Sequence, residues 1–330
     1  MSTAEQIIAL VKSHVDGDDK RFLSVASQVA AREARQGHTN VAQEIKKLIE
    51  KARNQEPHFH AAPDPLHLNL PVPQPKGELA GLISVSLPHE RLSQMVLPEV
   101  VEQKLQRVLL EQKQQQLLRA HNLSPRRKVL LVGPPGSGKT MTAHALAGEL
   151  DLPLMTILLE GVITKYMGET AAKLRLIFEA MSSTKGVYLF DEFDAIGARR
   201  SATNDVGEIR RVLNSFLQLL EQDASHSLVI AATNHPEMLD SALFRRFDDV
   251  ITYQLPDEQV IGRILKSRLA PFDTKGVKWI QATQAALGLS HAEVSRAAEE
   301  AAKMAVLAGH TRIQTSELVQ ALQDRKSGQG

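Results

Sequence analysis

The sequence predicts an α/β protein: a mostly parallel sheet, an all-α domain after it and a small helical unit before it. Three observations predict this. Five short apolar runs of strand type, at 129–132, 154–159, 187–190, 228–232 and 250–253, alternate with helical segments, the pattern of parallel strands joined by crossover helices. A glycine-rich loop follows the first run directly and opens a helix. After Pro256 the strand signals stop while helical ones continue to the end of the chain.

Residues 1–54 predict three short amphipathic helices. Ser2 with Glu5 makes a capping-box pattern ahead of Ile7, Ile8, Val11 and Val15 at helical spacing. Asp18 or Asp19 caps a second helix carrying Phe22, Val25 and Val29, and Gly37 ends it. Asn40 and Gln43 open a third, with Val41, Ile45 and Leu48 on one face. This unit is expected to recognise a partner or substrate. Residues 55–77 hold Pro57, Pro63, Pro65, Pro71, Pro73 and Pro75 and read as an extended, semi-rigid linker. His58, His60 and His67 lie in it and are read as polar residues of a solvated linker rather than a metal site; no cysteine accompanies them. Residues 78–255 make the α/β domain and 256–330 the helical domain that follows. Pro98 suits the start of a helix whose apolar face is Val101, Leu105, Val108 and Leu109.

Composition narrows the function classes. Apolar residues at 43% and charged residues at 23% fit a folded globular protein rather than a disordered one. A net charge of +1 supplies no general footprint for nucleic acid, which is not expected as a partner. The absence of cysteine excludes disulfides, thiolate chemistry and Cys-ligated zinc. The N-terminal apolar run, Ile7 to Val11, is too short for a signal peptide, and no stretch reaches membrane-spanning length. The expectation is a cytoplasmic protein.

The strongest motif is GPPGSGKT, Gly133 to Thr140, a complete G-x-x-x-x-G-K-[ST] phosphate-binding loop, or P-loop, in its strand–loop–helix setting. Glycines let backbone N–H groups approach phosphate oxygens, and the next helix points its positive dipole end at them. Pro135, Gly136, Ser137, Gly138, Lys139, Thr140 and Met141 are therefore the expected ATP-binding residues, Lys139 serving the outer phosphates and Thr140 ligating Mg²⁺. A second motif, VYLFDEFD, brings Asp191 and Glu192 to the carboxyl end of a buried strand. Asp191 would hold Mg²⁺ through water, and Glu192 would polarise the attacking water. The third, LVIAATNHP, ends a strand in Thr233 and Asn234, and Asn234 would orient that water or sense the γ-phosphate.

With these motifs in this order the chain resembles the AAA+ ATPases, specifically the classical AAA clade, from about Leu97 to Leu322. The segment LDSALFRRFDD, 239–249, is similar to that clade's second region of homology. The resemblance implies that Arg245 and Arg246 are arginine fingers reaching the nucleotide of a neighbouring subunit, hence a homo-oligomer, by family analogy a hexamer. GVITKYMGETAAKLRLIFEAM, 161–181, is similar to the first pore loop, with Lys165, Tyr166 and Met167 at its tip gripping a protein substrate. A second charged loop falls around 199–208, and Arg210 and Arg211 lie near the subunit boundary in such folds. Two departures stand out. GLSHAEV, 288–294, places His291 where glycine is usual, next to the retained Ala292. The resemblance puts both near the adenine or ribose, with no lid arginine unless Arg296 swings in. The usual D-x-x-G strand is missing from 82–97.

The resemblance implies a ring that remodels, unfolds or threads protein using ATP hydrolysis. An alternative is an ATP-gated switch subunit controlling a partner effector, a protease or nuclease, in a setting such as phage defence. The chain carries neither H-E-x-x-H nor G-x-S-x-G, so any proteolysis belongs to another protein. A DNA loader or initiator is a third class, disfavoured by the neutral charge and the lack of a basic helix–turn–helix signal.

Overall fold

The computed structural model describes residues 29–30, 75–163, 167–194, 206–239 and 241–327. Contacts divide the chain into two units, Met1–Leu70 and Pro71–Gly330. The first is described only at Val29 and Ala30, so the three expected N-terminal helices and most of the proline-rich linker lie outside the described residues.

The second unit is built on a six-stranded sheet of β1 (Ile83–Ser86), β2 (Lys128–Val132), β3 (Leu154–Ile157), β4 (Val187–Phe190), β5 (Leu228–Thr233) and β6 (Asp249–Thr252). Its order is β1-β3-β4-β5-β2-β6, parallel throughout except for β1, which runs antiparallel to β3. Helices α1 (Glu99–Lys113), α2 (Gln115–Ala120), α3 (Lys139–Leu150), α4 (Leu159–Val162), α5 (Met167–Ser183), α6 (Val206–Gln222) and α7 (Ser241–Phe244) accompany it. Four more follow as a lid: α8 (Glu258–Arg268), α9 (Trp279–Ala286), α10 (His291–Leu307) and α11 (Thr315–Ser327). Among the described residues no helix is long and apolar enough to cross a membrane.

The central strands are apolar on both faces because helices cover both. In β2 the period-2 alternation is direct. Val129 and Leu131 pack with Leu105, Val108 and Leu146 of α1 and α3, whereas Leu130 and Val132 join the layer holding Leu174, Ile177 and Phe216 of α5 and α6. Phe216 anchors that second layer, with its ring 5.1 Å from Phe190 and 4.7 Å from Phe193. The lid has its own core, in which α10 buries Ala297, Ala298, Ala301 and Ala305; such small side chains let neighbouring helices approach closely. Asp257 and Ser290 cap α8 and α10, accepting from the backbone N–H of Val260 and Glu293.

Two local expectations are corrected. Residues 82–97 do contain a strand, β1, whose ISVS sequence buries Ile83 and exposes both serines, so it lacks the apolar run that marks the interior strands. The second run, 154–159, stops being a strand at Ile157, and Leu159–Val162 makes a single helical turn.

Register positions the site. Val132 pairs with Thr233, and Phe190 with Ala231, so β2, β4 and β5 end side by side. Gly133, Asp191 and Asn234 therefore leave the sheet at one edge, where open α/β sheets bind ligands.

Candidate functional site

A cleft of about 540 Å³ opens at that edge, within the range of small-molecule sites. Its walls come from the phosphate loop, the ends of β4 and β5, the segment 94–97, and lid helices α8 and α10. Pro135, Gly136, Ser137, Gly138, Lys139, Thr140, Met141, His291 and Ala292 all line it, as do Asp191, Glu192 and Asn234.

The loop is held by contacts that require glycine. Gly136 has φ of 72°, in the left-handed region, and a Cβ there would sit 2.6 Å from Ser290 Oγ and 3.1 Å from Ala292 Cβ. The same approach lets the Ala292 N–H donate to Gly136 O at 2.9 Å, a main-chain joint between the lid and the phosphate loop.

Lys139 is buried at the start of α3. Its ammonium donates to Gly133 O at 2.8 Å, Pro134 O at 2.9 Å and Asn234 Oδ1 at 2.7 Å. Burial pulls its pKa below the usual lysine range, and the carboxylates of Asp191 and Asp194 oppose that shift. The next residue, Thr140, donates its hydroxyl to Asp191 Oδ2 at 2.7 Å. A hydroxyl and a carboxylate so placed form a hard-oxygen pair that fits Mg²⁺, which binds through few protein ligands plus phosphate and water oxygens. Among the described residues no cluster of three His, Asp or Glu side chains is placed to hold a metal ion.

Glu192 takes a left-handed backbone, φ 50°, at a cost of about 1 kcal/mol for a residue with a Cβ. Its N–H donates to Asp191 Oδ1 at 3.0 Å, and the next N–H, that of Phe193, donates to Ala232 O at 2.8 Å. The chain thus turns sharply just where the second carboxylate leaves the strand. Strain of this kind gathers at functional sites.

Sequence reasoning missed Asp194. This buried carboxylate accepts, at Oδ1, the Thr233 hydroxyl at 2.9 Å and the Asn234 N–H at 3.2 Å. It fixes the turn that carries Asn234. The signal was the fourth residue of the DEFD run, but its partner lies 40 residues away in sequence.

The lid brings two arginines to the cleft, Arg268 from α8 and Arg296 from α10, so a lid arginine does line the site. Arg245 and Arg246 do not line it: both are exposed, and Arg246 pairs with Glu221 of its own chain. Lys165 and Tyr166, and most of the charged loop at 199–208, lie outside the described residues, while Met167 opens α5.

Comparison with known proteins agrees with this architecture. The family model described as "ATPase family associated with various cellular activities (AAA)" matches residues 129–255, from β2 to just beyond β6. An AAA family ATPase of Sinorhizobium fredii, y4kL, is 32% identical over 334 residues, covering 100% of this chain and 98% of that protein. The ATP-dependent zinc metalloprotease FtsH of Lancefieldella parvula is 37% identical over 205 residues, 59% of this chain and 32% of that protein. The proteasome-activating nucleotidase of Pyrococcus horikoshii is 35% identical over 218 residues, 64% of this chain and 54% of its own. The chain thus spans about a third of the one and about half of the other. Among solved structures, the FIGL-1 AAA domain superposes with a TM-score of 0.58 at 22% identity, covering 74% of this chain and 85% of that one, a likeness of fold. With one relative matched from end to end, and the family's domain laid over the sheet that carries the phosphate loop, the chain belongs to the AAA family of ATPases.

Proposed function

We propose that the chain hydrolyses ATP in this cleft as one subunit of a ring, hexameric by family analogy, and uses the cycle to remodel, unfold or thread a protein substrate. The observation that carries the site reading is the pairing of four motif residues at one sheet edge, Lys139 with Asn234 and Thr140 with Asp191. The phosphate-loop amides and the Lys139 ammonium bind the outer phosphates. Thr140 and Asp191 hold Mg²⁺, which supplies charge compensation there. Glu192 polarises the attacking water and Asn234 orients it.

The ring reading is supported by the two arginines. They stand exposed and outside their own cleft, although a guanidinium is the group that offsets charge developing in phosphoryl transfer. Supplied from a neighbour, Arg245 and Arg246 make hydrolysis depend on assembly. FtsH and the proteasome-activating nucleotidase carry protease and proteasome in their names, which favours a protein as the substrate. Tyr166 would grip it with a large amphipathic surface.

ATPase rate against protein concentration, with mass from light scattering, tests the assembly. The rate per subunit should climb with concentration, track a hexamer-sized species and collapse in Arg245→Ala and Glu192→Gln. A concentration-independent rate in a monomer, untouched by Arg245→Ala, overturns the ring. Tyr166→Ala should abolish substrate processing and keep ATP hydrolysis; a variant that still processes substrate removes the gripping role.

A further inference from the structure

Tyr253, just beyond β6, reaches both ends of the phosphate loop by two different routes. Its backbone holds the first end. The Tyr253 N–H donates to Val132 O at 2.7 Å, and its carbonyl lies so near Gly133 that a Cβ there would sit 2.6 Å from the oxygen. Its side chain holds the last end through Thr142 of α3. The two hydroxyls are 2.6 Å apart, and Thr142 Oγ1 is 3.0 Å from Gly138 O.

Both side chains are buried, and among the described residues neither hydroxyl has a further partner. Each hydroxyl carries one proton, and Gly138 O has none to give. Thr142 therefore donates to Gly138 O, and Tyr253 donates to Thr142. The opposite arrangement would leave the Tyr253 proton buried without an acceptor. Burial pushes the Tyr253 pKa above the usual tyrosine range, which keeps that proton in place.

The series ends on a peptide that faces the ligand. Gly138 and Lys139 share one planar trans peptide, whose C=O and N–H point in opposite directions. Gly138 O also accepts from the Thr142 N–H at 2.9 Å. Held by both donors, it turns the Lys139 N–H out of the start of α3, among the loop amides that line the cleft. Tyr253 and Thr142 themselves lie behind the loop and do not line the cleft.

We propose that Tyr253 and Thr142 are positioning residues, whose hydroxyls in series brace the Gly138–Lys139 peptide and so preset the phosphate loop for the outer phosphates. This rests on the reading that the cleft takes ATP.

Calorimetric titration of the full chain with Mg-ADP and with Mg-tripolyphosphate, which has phosphates but no nucleoside, tests it beside urea unfolding. Wild type should bind both; if it binds neither, the nucleotide reading itself fails and the proposal falls with it. Thr142→Val should weaken both ligands about fivefold, the worth of one neutral hydrogen bond, and lower the urea midpoint because the Tyr253 hydroxyl is left stranded. Adding Tyr253→Phe removes the stranded group, so the double variant should regain most of the midpoint while both ligands stay about fivefold weak. Thr142→Ser keeps the hydroxyl and should bind within about twofold of wild type. Affinity that returns with stability in the double variant marks a merely structural pair and overturns the proposal. So does unchanged affinity in Thr142→Val, weakening confined to ADP, or a serine variant as weak as valine. Should Thr142→Val fail to fold, the double variant decides: weakening of both ligands at a near-normal midpoint supports the role, and any other pattern refutes it.

Discussion

Replacing Asp194 by alanine should disconnect Asn234 from the frame that aims it. The carboxylate accepts two hydrogen bonds at one oxygen, from the Thr233 hydroxyl and the Asn234 N–H. Thr233 is wholly buried, so its hydroxyl has no water to turn to. A hydrogen bond to a charged group contributes about 1.5 kcal/mol or more, so losing both should cost about 3 kcal/mol of stability. Freed of its backbone anchor, Asn234 should also lose its fixed contact to the Lys139 ammonium. Misplacing a water-orienting group by about 1 Å lowers kcat by roughly tenfold to a hundredfold, whereas phosphate-loop binding of ADP should change far less. Urea unfolding and steady-state ATPase assays on wild type, Asp194→Ala and Asp194→Asn check this. The asparagine keeps an oxygen where Oδ1 stands, while an NH2 group replaces the other oxygen and the charge is lost, so it should restore most of both quantities. An alanine variant matching wild type in urea midpoint and kcat would refute the reasoning. So would an asparagine variant falling as far as alanine, because charge rather than hydrogen bonding would then be the cause.

Two further outcomes follow from named contacts. Gly136→Ala must hold a left-handed backbone, costing about 1–2 kcal/mol, and push Ser290 away; ADP affinity by calorimetry should fall about tenfold, and an unchanged affinity would mean that the lid does not sit against the loop. His291 is held below the ordinary histidine pKa of about 6.5 by burial. Above that pH both folded and unfolded chains carry it neutral. As pH falls from about 6.5 through the lower folded-state value, the unfolded chain takes up a proton that the folded chain resists, so stability is lost in that window. Urea unfolding at pH 7.5 and 5.5 should show wild type losing more stability than His291→Asn, and parallel losses would remove the effect.

The parts of the site legible in the sequence are those made by neighbours in the chain. GPPGSGKT carries its strand, its glycines, its lysine and its helix start within a few residues, and VYLF followed by two acids is a buried strand meeting the sheet edge. Strand β1 was not legible because an edge strand with one face in solvent needs no apolar run, and its partner β3 lies some seventy residues on. Asp194 was hidden for a different reason. Its role comes from the register that sets β4 beside β5, and register is a property of the assembled sheet. Arg268 is likewise an ordinary helix-surface charge until the lid is docked, whereas Arg296 stands out in the sequence only through the family resemblance.

The hydrogen bond from Ala292 to Gly136 joins main chain to main chain, across more than 150 residues of sequence. Such a joint is blind to side-chain identity on the lid side, since any residue except proline can donate there. The position before it is then released from the task of docking, and its side chain is free to drift. A glycine, a histidine or another residue can stand at 291 without unhinging the lid, so the chemistry of that wall of the cleft can change separately from the joint that holds the lid to the phosphate loop.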